Sequence, residues 1–322
     1  MKNKIKVIML TVLLVTVLVS CTKNSPANTT VEGENEKLTV VTTLFPYYDF
    51  VRQIAGDKVN NMMLLSPGMD AHSFEPTPAN MIDVQKADVF IYNGGEMENW
   101  VEQILKATEN KNQVSLRMMD YVKTVVEEEK EGMETEEEEE EGLEEPEYDE
   151  HIWTSPVNAQ KLVETICETL MQADEKNASY YEANAKKYLE ELKELDASFQ
   201  GVVNQATKKI MIVGDKFPLR YLVDEYGLDY RAAFSGCTTQ TEPSADTIAY
   251  LINITKEEQV NAVFHMELSN GKIADTISEA TGAKVLTFHS THNVTKEDFE
   301  KGVTYLELMR QNVKVLQEGL NE

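Results

Sequence analysis

Two patterns of apolar residues alternate along the chain. Short runs rich in β-branched residues are separated by stretches in which apolar residues recur every three or four positions. In the first part of the chain this pattern predicts strands over residues 38–44, 59–65 and 88–92, and helices over 45–55, 81–86 and 100–108. Strands separated by helices indicate βαβ units and a mostly parallel sheet.

The same alternation returns in the last third of the chain. It predicts strands over residues 209–213, 230–234, 261–266 and 284–288, and helices over 217–226, 245–253, 272–280 and 296–319. We therefore expect a second α/β lobe, which covers residues 208–322.

A long amphipathic stretch lies between these two regions. A helix is predicted over residues 157–171, and a longer one begins at Ala178 and meets its first glycine only at Gly201. Apolar residues recur on one face of the longer stretch: Leu189, Leu192, Leu195, Phe199 and Val203. The sequence thus predicts an α/β fold of two lobes, each with a mostly parallel sheet flanked by helices. The lobes cover residues 38–177 and 208–322, and one long rigid helix over residues 178–207 joins them.

An acidic segment interrupts the first lobe. Residues 127–150 contain 16 acidic residues, and Lys130 is the only base among them. Like-charge repulsion and the lack of apolar periodicity predict a solvated, disordered insertion. Two roles remain open for this insertion, a simple spacer or a device that raises the local concentration of cations.

The charge of the whole chain indicates which partners it accepts. Its 56 acidic residues outnumber 30 basic ones, which gives a formal net charge of -26. Nucleic acid is therefore excluded as a partner, because phosphate binding needs a basic surface. Cations are the expected partners.

The first residues have the pattern of a secretory signal. Three early lysines precede an apolar run over residues 7–19, which is shorter than the roughly 20 residues needed to span a bilayer. The run ends in Leu-Val-Ser before Cys21, which resembles the lipobox of bacterial lipoproteins. We expect a signal peptide over residues 1–21, a lipid on Cys21 and a flexible tether over residues 22–37. The protein would then be extracytoplasmic, with its anchor in the outer face of the cytoplasmic membrane.

Candidate metal ligands lie in loops around the predicted sheets. His72 follows a strand and a Pro-Gly turn, His151 follows the acidic segment, and Asp215 and His289 come directly after strands. Because the carboxyl ends of parallel strands meet in one crevice, these four side chains predict a metal site between the lobes. His265 lies inside an apolar strand pattern and is expected to be structural.

Several motifs resemble the zinc- and manganese-binding solute-binding lipoproteins that serve metal ABC importers. The first is His72 followed by Ser-Phe-Glu-Pro-Thr-Pro, and the second is His151 within Glu-His-Ile-Trp-Thr-Ser-Pro-Val-Asn-Ala. Further resemblances occur in the same order along the chain, at residues 86–88, 92–94, 181–185, 192–196, 226–228, 242–244 and 281–286. The resemblance covers essentially everything from Leu38 onward.

The resemblance implies a set of four ligands. Two are His72 and His151, and a third comes from the turn over residues 213–218, where Asp215 is the nearest substitute for the usual residue. The fourth lies after the last strand, where His289 is our choice and His292 is the alternative if the register shifts. Three imidazoles and one carboxylate favour Zn²⁺, whereas more carboxylates would favour Mn²⁺.

The resemblance also implies a function without catalysis. We expect a monomeric carrier that delivers its metal ion to the permease of an ABC importer. A metallohydrolase, a metal-stapled surface adhesin and a manganese carrier are the alternatives.

Other polar residues and the cysteines are assigned supporting roles. Glu75 and Glu242 are expected to accept hydrogen bonds near the site, with helix capping as the alternative for each. Cys167 and Cys237 are expected to be small buried residues, although Cys237 remains an alternative ligand.

Overall fold

The first lobe is organised around a parallel sheet. The computed structural model describes residues 37–108, 110–134, 147–236, 238 and 242–321. Four strands, in the order β2-β1-β3-β4, form the sheet: β1 (Leu38–Thr42), β2 (Val59–Met63), β3 (Val89–Tyr92) and β4 (Val114–Arg117). Three helices accompany it: α1 (Phe45–Ala55), α2 (Pro78–Lys86) and α3 (Asn99–Thr108). All pairings are parallel, so the strands share one carboxyl edge.

Two helices lead from this lobe to the second one. The first is α4 (Pro156–Ala173), and the second is α5 (Ala178–Gln205), which has 28 residues. The start of α4 is fixed by Ser155, whose hydroxyl accepts hydrogen bonds from the backbone N–H groups of Val157 and Asn158. Proline at the first helical position supports the same start.

The second lobe repeats the arrangement of the first. Its strands, in the order β6-β5-β7-β8, are β5 (Ile210–Lys216), β6 (Asp229–Phe234), β7 (Ala262–Met266) and β8 (Lys284–Phe288). Its helices are α6 (Arg220–Tyr226), α7 (Ala245–Glu257), α8 (Lys272–Thr281), α9 (Lys296–Lys301) and α10 (Tyr305–Asn321). All pairings among β5 to β8 are also parallel.

Short 3₁₀ turns occur before the second lobe, at Glu96–Glu98, Met118–Tyr121, Ile152–Thr154 and Glu175–Asn177.

Helix α5 packs against both lobes. It contacts α1 of the first lobe, α10 of the second, and α4 along its length. Its buried residues recur every three or four positions: Tyr181, Ala185, Tyr188, Leu192, Leu195, Phe199, Val202 and Val203. Each fully buried leucine or phenylalanine contributes about 1.5–3 kcal/mol to the free energy of unfolding, so this buried face holds the helix against both lobes. The predicted fold, two parallel-sheet lobes joined by a long helix, is confirmed.

Two elements differ from the prediction. The pattern does not predict β4, because only Leu116 of this short edge strand is buried. The last helix, predicted over residues 296–319, is two helices, because Gly302 adopts φ +74° and ends α9. A new start follows, where the Asp49 carboxylate accepts a hydrogen bond from the backbone N–H of Tyr305 at 2.7 Å.

The ends of the acidic segment are ordered, in contrast to the disordered insertion expected over all of residues 127–150. Glu134 forms a parallel β-bridge with Phe234 of the second lobe, and Met133 is buried. Backbone pairing and apolar burial therefore offset the like-charge repulsion at residues 127–134. Residues 135–146 lie outside the described part of the chain.

The amino-terminal predictions fall on residues that the structure does not describe. They are the signal peptide with Cys21 and the tether up to residue 36. Cys237 also lies outside the described residues, whereas Cys167 is a buried free thiol, as expected. None of the helices among the described residues combines the length and apolar character needed to cross a membrane.

Candidate metal site

A cavity of about 370 Å³ opens at the carboxyl ends of the strands of both lobes. Three of the four predicted ligands, His72, His151 and Asp215, line this cavity. The fourth, His289, is not among the lining residues, and His292 takes its place. The topology thus brings together side chains that are as far apart as residues 72 and 292 in the sequence.

His72 lies in the loop after β2, which touches the second lobe. Gly68 adopts φ +84° and donates its backbone N–H to the carbonyl of Val294 at 2.8 Å. The Asp70 carboxylate then accepts a hydrogen bond from the backbone N–H of His72 at 2.8 Å. Burial lowers the pKa of His72 to about 3, so its imidazole is neutral near pH 7. The neutral form is the one that binds metal.

His151 is buried beside His72. Its ring centroid lies 5.6 Å from that of His72, and its exposed fraction is 2%. Asp149 Oδ1 accepts a hydrogen bond from the His151 backbone N–H at 2.8 Å and lies 3.3 Å from the ring Nδ1. Burial lowers the pKa of His151, but Asp149 and Glu150 outweigh it and hold the pKa above its usual value. The carboxylate favours a proton on Nδ1 and leaves Nε2 for a metal ion.

His292 follows a strained turn after β8. Thr291 adopts φ +60°, and the Glu267 carboxylate holds this turn by accepting hydrogen bonds from the backbone N–H groups of Ser290 and Thr291. The Ser290 hydroxyl donates to Glu267 at 3.0 Å and lies 2.7 Å from His292 Nδ1. Because this hydroxyl donates to Glu267, it accepts a hydrogen bond from the Nδ1–H of His292. His292 Nε2 is buried and has no hydrogen-bond partner among the described residues.

The structure places His292, and not the predicted ligand His289, at the cavity. Asn312 accepts a hydrogen bond from the His289 backbone N–H at 2.8 Å and donates one to its carbonyl at 2.7 Å. These bonds fix His289 against α10, and the turn at Thr291 brings His292 to the cavity instead. His265 behaves as expected for a structural residue, because Met266 and Thr287 engage its two ring nitrogens at 3.0 and 2.9 Å.

Asp215 lines the cavity, but its carboxylate is already engaged. Oδ1 accepts a hydrogen bond from the backbone N–H of Lys216 at 2.9 Å, and Oδ2 accepts one from Met266 at 3.0 Å. Within the part of the chain that the structure describes, no three His, Cys, Asp or Glu side chains are grouped closely enough to hold an ion. These side chains could hold an ion together only if they moved closer to one another than they lie in this structure.

Hydrogen bonds across the two lobes form the frame behind the cavity. The Trp153 indole donates to the carbonyl of Ser290 at 2.8 Å, and the Tyr305 hydroxyl donates to the carbonyl of Trp153 at 2.7 Å. The Asn293 amide donates to the carbonyls of Ser66 and Met69, both at 2.8 Å. The loops that carry His151 and His292 are therefore joined by buried bonds.

The residues that orient the histidines are not those expected from the sequence. Glu75 and Glu242 are both exposed, and neither lines the cavity. Helix α7 is capped by Ser244, whose hydroxyl accepts a hydrogen bond from the backbone N–H of Thr247. Asp149 and Ser290 orient the rings, and each lies two residues before the histidine that it contacts. That spacing is the sequence signal that identifies them.

Known proteins are similar to this chain in both sequence and fold. Residues 40–319 match the family described as "Zinc-uptake complex component A periplasmic". The chain is 35% identical over 306 residues to the high-affinity zinc uptake system protein ZnuA of Bacillus subtilis, a match that covers 94% of each chain. It is 31% identical over 306 residues to the zinc-binding lipoprotein AdcA of Streptococcus pneumoniae, covering 95% of this chain but only 59% of AdcA. The Zn(II)-bound ZnuA-like domain of Streptococcus pneumoniae AdcA superposes with a TM-score of 0.73 at 29% identity, over 89% of this chain and 100% of that one.

Proposed function

The chain belongs to the zinc-uptake complex component A family, and we propose that it captures a zinc ion outside the cytoplasmic membrane for an ABC importer. The supporting observation is the state of His292, whose Nε2 is buried and unpartnered among the described residues while Ser290 holds its Nδ1. An imidazole fixed at one nitrogen and free at the other is typical of a metal ligand.

The proposed ligands are His72, His151 and His292. All three line the same cavity, and burial or a hydrogen-bonded carboxylate prepares each ring. Imidazole nitrogen is a good donor for Zn²⁺, whereas Mn²⁺ prefers carboxylate and carbonyl oxygen. The donor set therefore favours zinc. Asp215 is available as a further ligand only if its two backbone hydrogen bonds break.

In this proposal the protein is a carrier and not an enzyme. The ion is cargo, which has to leave intact through the permease. The proposal includes a lipid anchor on Cys21, which keeps the carrier at the membrane, and a monomeric state.

The ligand assignment is tested with a matched pair of variants. His292→Ala should weaken zinc binding at least about 100-fold because it removes a ligand. His289→Ala, three residues away, should leave affinity within about twofold of the wild type, since its ring does not line the cavity. Competition against a fluorescent zinc chelator measures both, and thermal unfolding of the metal-free proteins controls for folding. Equal losses in the two variants would contradict the assignment.

Transport is tested separately from binding. A strain that lacks the gene should grow poorly in zinc-depleted medium and recover with the wild-type gene but not with His292→Ala. A protein that serves only as a metal-stapled adhesin would bind zinc with the same ligands, yet its loss would leave zinc-limited growth unchanged.

A further inference from the structure

The cavity is much larger than a metal ion requires. Its volume is about 370 Å³, whereas one water molecule occupies about 30 Å³ in the liquid. Pockets for small organic ligands begin at about 300 Å³. The volume beyond that of the ion is therefore enough to hold a small molecule beside the metal.

A lysine lies in this cavity next to the proposed ligands. Lys216 lines the wall, and its charge acts on both His72 and His292. Burial raises the pKa of the Asp70 carboxyl on the same wall, but the charges of Lys216 and His72 outweigh it and hold the pKa below its usual value. A fixed positive charge opposes the arrival of a dication unless an anion lies between the two.

The coordination of the ion is also incomplete. His72, His151 and His292 provide three donors, and Zn²⁺ in proteins almost always takes four. Two carboxylates in the described part of the chain line the cavity. The backbone N–H groups of Lys216 and Met266 occupy both oxygens of Asp215, and the Asp70 carboxylate holds the loop of His72 by accepting its backbone N–H. The fourth donor is therefore most easily supplied from outside the chain.

We propose that the cavity takes up zinc together with a small polycarboxylate, one carboxylate of which completes the coordination of zinc while another pairs with the Lys216 ammonium. This inference rests on the proposed function of the same site. Lys272, on the rim of the cavity at the start of α8, adds a second positive charge for the same anion. The anion offsets positive charge from the ion and the two lysines, because imidazole ligands bring no negative charge of their own.

The test uses radiolabelled citrate as the polycarboxylate and the full chain as the protein. In equilibrium dialysis the wild type should retain one citrate per protein when zinc is present, and no citrate when zinc is removed by a chelator. Lys216→Met should retain zinc but bind citrate at least about tenfold more weakly, because it loses a charge-assisted hydrogen bond. The matched control is Lys209→Met, which removes the same charge just before the opposite end of β5 and should behave as the wild type.

The outcomes separate this inference from the proposed function. Zinc bound at one per protein without citrate would overturn the inference and leave the carrier function intact. Equal citrate binding by the wild type and Lys216→Met would also overturn it, because the lysine would then have no part in recognition. A protein that binds no zinc, with or without citrate, would overturn the proposed function itself.

Discussion

Replacing Glu98 by glutamine should remove a large part of the pH dependence of stability in the metal-free protein. Glu98 ends the Glu96–Glu98 turn and is buried, with an exposed fraction of 4%. Its Oε2 accepts a hydrogen bond from the backbone N–H of Gly94 at 2.8 Å. Burial raises the pKa of its carboxyl from 4.5 to about 7. Glutamine keeps the acceptor and the shape but cannot ionise.

The sign and size of the effect follow from this pKa. Because the folded protein holds the Glu98 proton more tightly than the unfolded chain, the contribution is fully present below pH 4.5 and is lost as the pH rises through about 7. One pKa unit corresponds to about 1.4 kcal/mol, so the loss is about 3 kcal/mol. At pH 8 Glu98→Gln should therefore be more stable than the wild type by about 2–3 kcal/mol, and at pH 4 the two should be nearly equal.

Urea unfolding followed by circular dichroism from pH 4 to 9, in the presence of a chelator, measures the difference. Glu150 is present in both proteins, and burial raises its pKa to about 8, so the comparison isolates most of the Glu98 contribution. Glu96→Gln, at an exposed position of the same turn, is the control and should follow the wild type. Parallel stability curves for wild type and Glu98→Gln would refute the reasoning.

Two further predictions concern packing and the acidic segment. Gly319→Ala should destabilise the protein by about 1–3 kcal/mol, because the added Cβ would lie 2.3 Å from Cζ of Phe264. Gly201→Ala, in the interior of α5, should stabilise the protein by about 0.5–1 kcal/mol, because the added Cβ would have no neighbour within 4 Å. Urea unfolding measures both changes in the free energy of unfolding, and changes of the same sign would contradict the packing argument. Deletion of residues 135–146 should leave tight zinc affinity unchanged and remove only weak, salt-sensitive cation binding, as measured by chelator competition at low and high salt; a large loss of tight affinity would show that this segment supplies ligands.

The fold could be predicted because its signals are local. Runs of β-branched residues place seven of the eight strands in the described part of the chain. The 28-residue helix α5 begins at the predicted residue and ends at Gln205, two residues before the predicted end. The signals fail where a long-range contact decides the structure. The break between α9 and α10 depends on the buried carboxylate of Asp49, which accepts the first N–H of α10 from a distance of 256 residues in the sequence. No pattern near Gly302 contains that partner.

The choice between His289 and His292 shows the same limit within the site. Both histidines follow β8, so the convergence of strand ends predicts the cavity equally well for either of them. The difference comes from Glu267, which follows β7 and whose carboxylate binds the backbone of Ser290 and Thr291. Its position across the sheet follows from the β7–β8 pairing, which the sequence does not display. The histidine that is one turn away from the strand is therefore the one that reaches the cavity.

The course of strand β5 decides what the Asp215 carboxylate binds. Strand β5 was expected to end at residue 213, yet it continues to Lys216 through an irregularity in its pairing with β6. Gly214 permits this path, because a Cβ there would lie 2.6 Å from the backbone nitrogen of Ala274. The extension carries the Asp215 carboxylate to the end of β7, where the Met266 N–H binds it. The Asp215 carboxylate is thus bound to the backbone, and Lys216 lines the cavity beside it. Our proposal of an external anion at this position follows from these two facts.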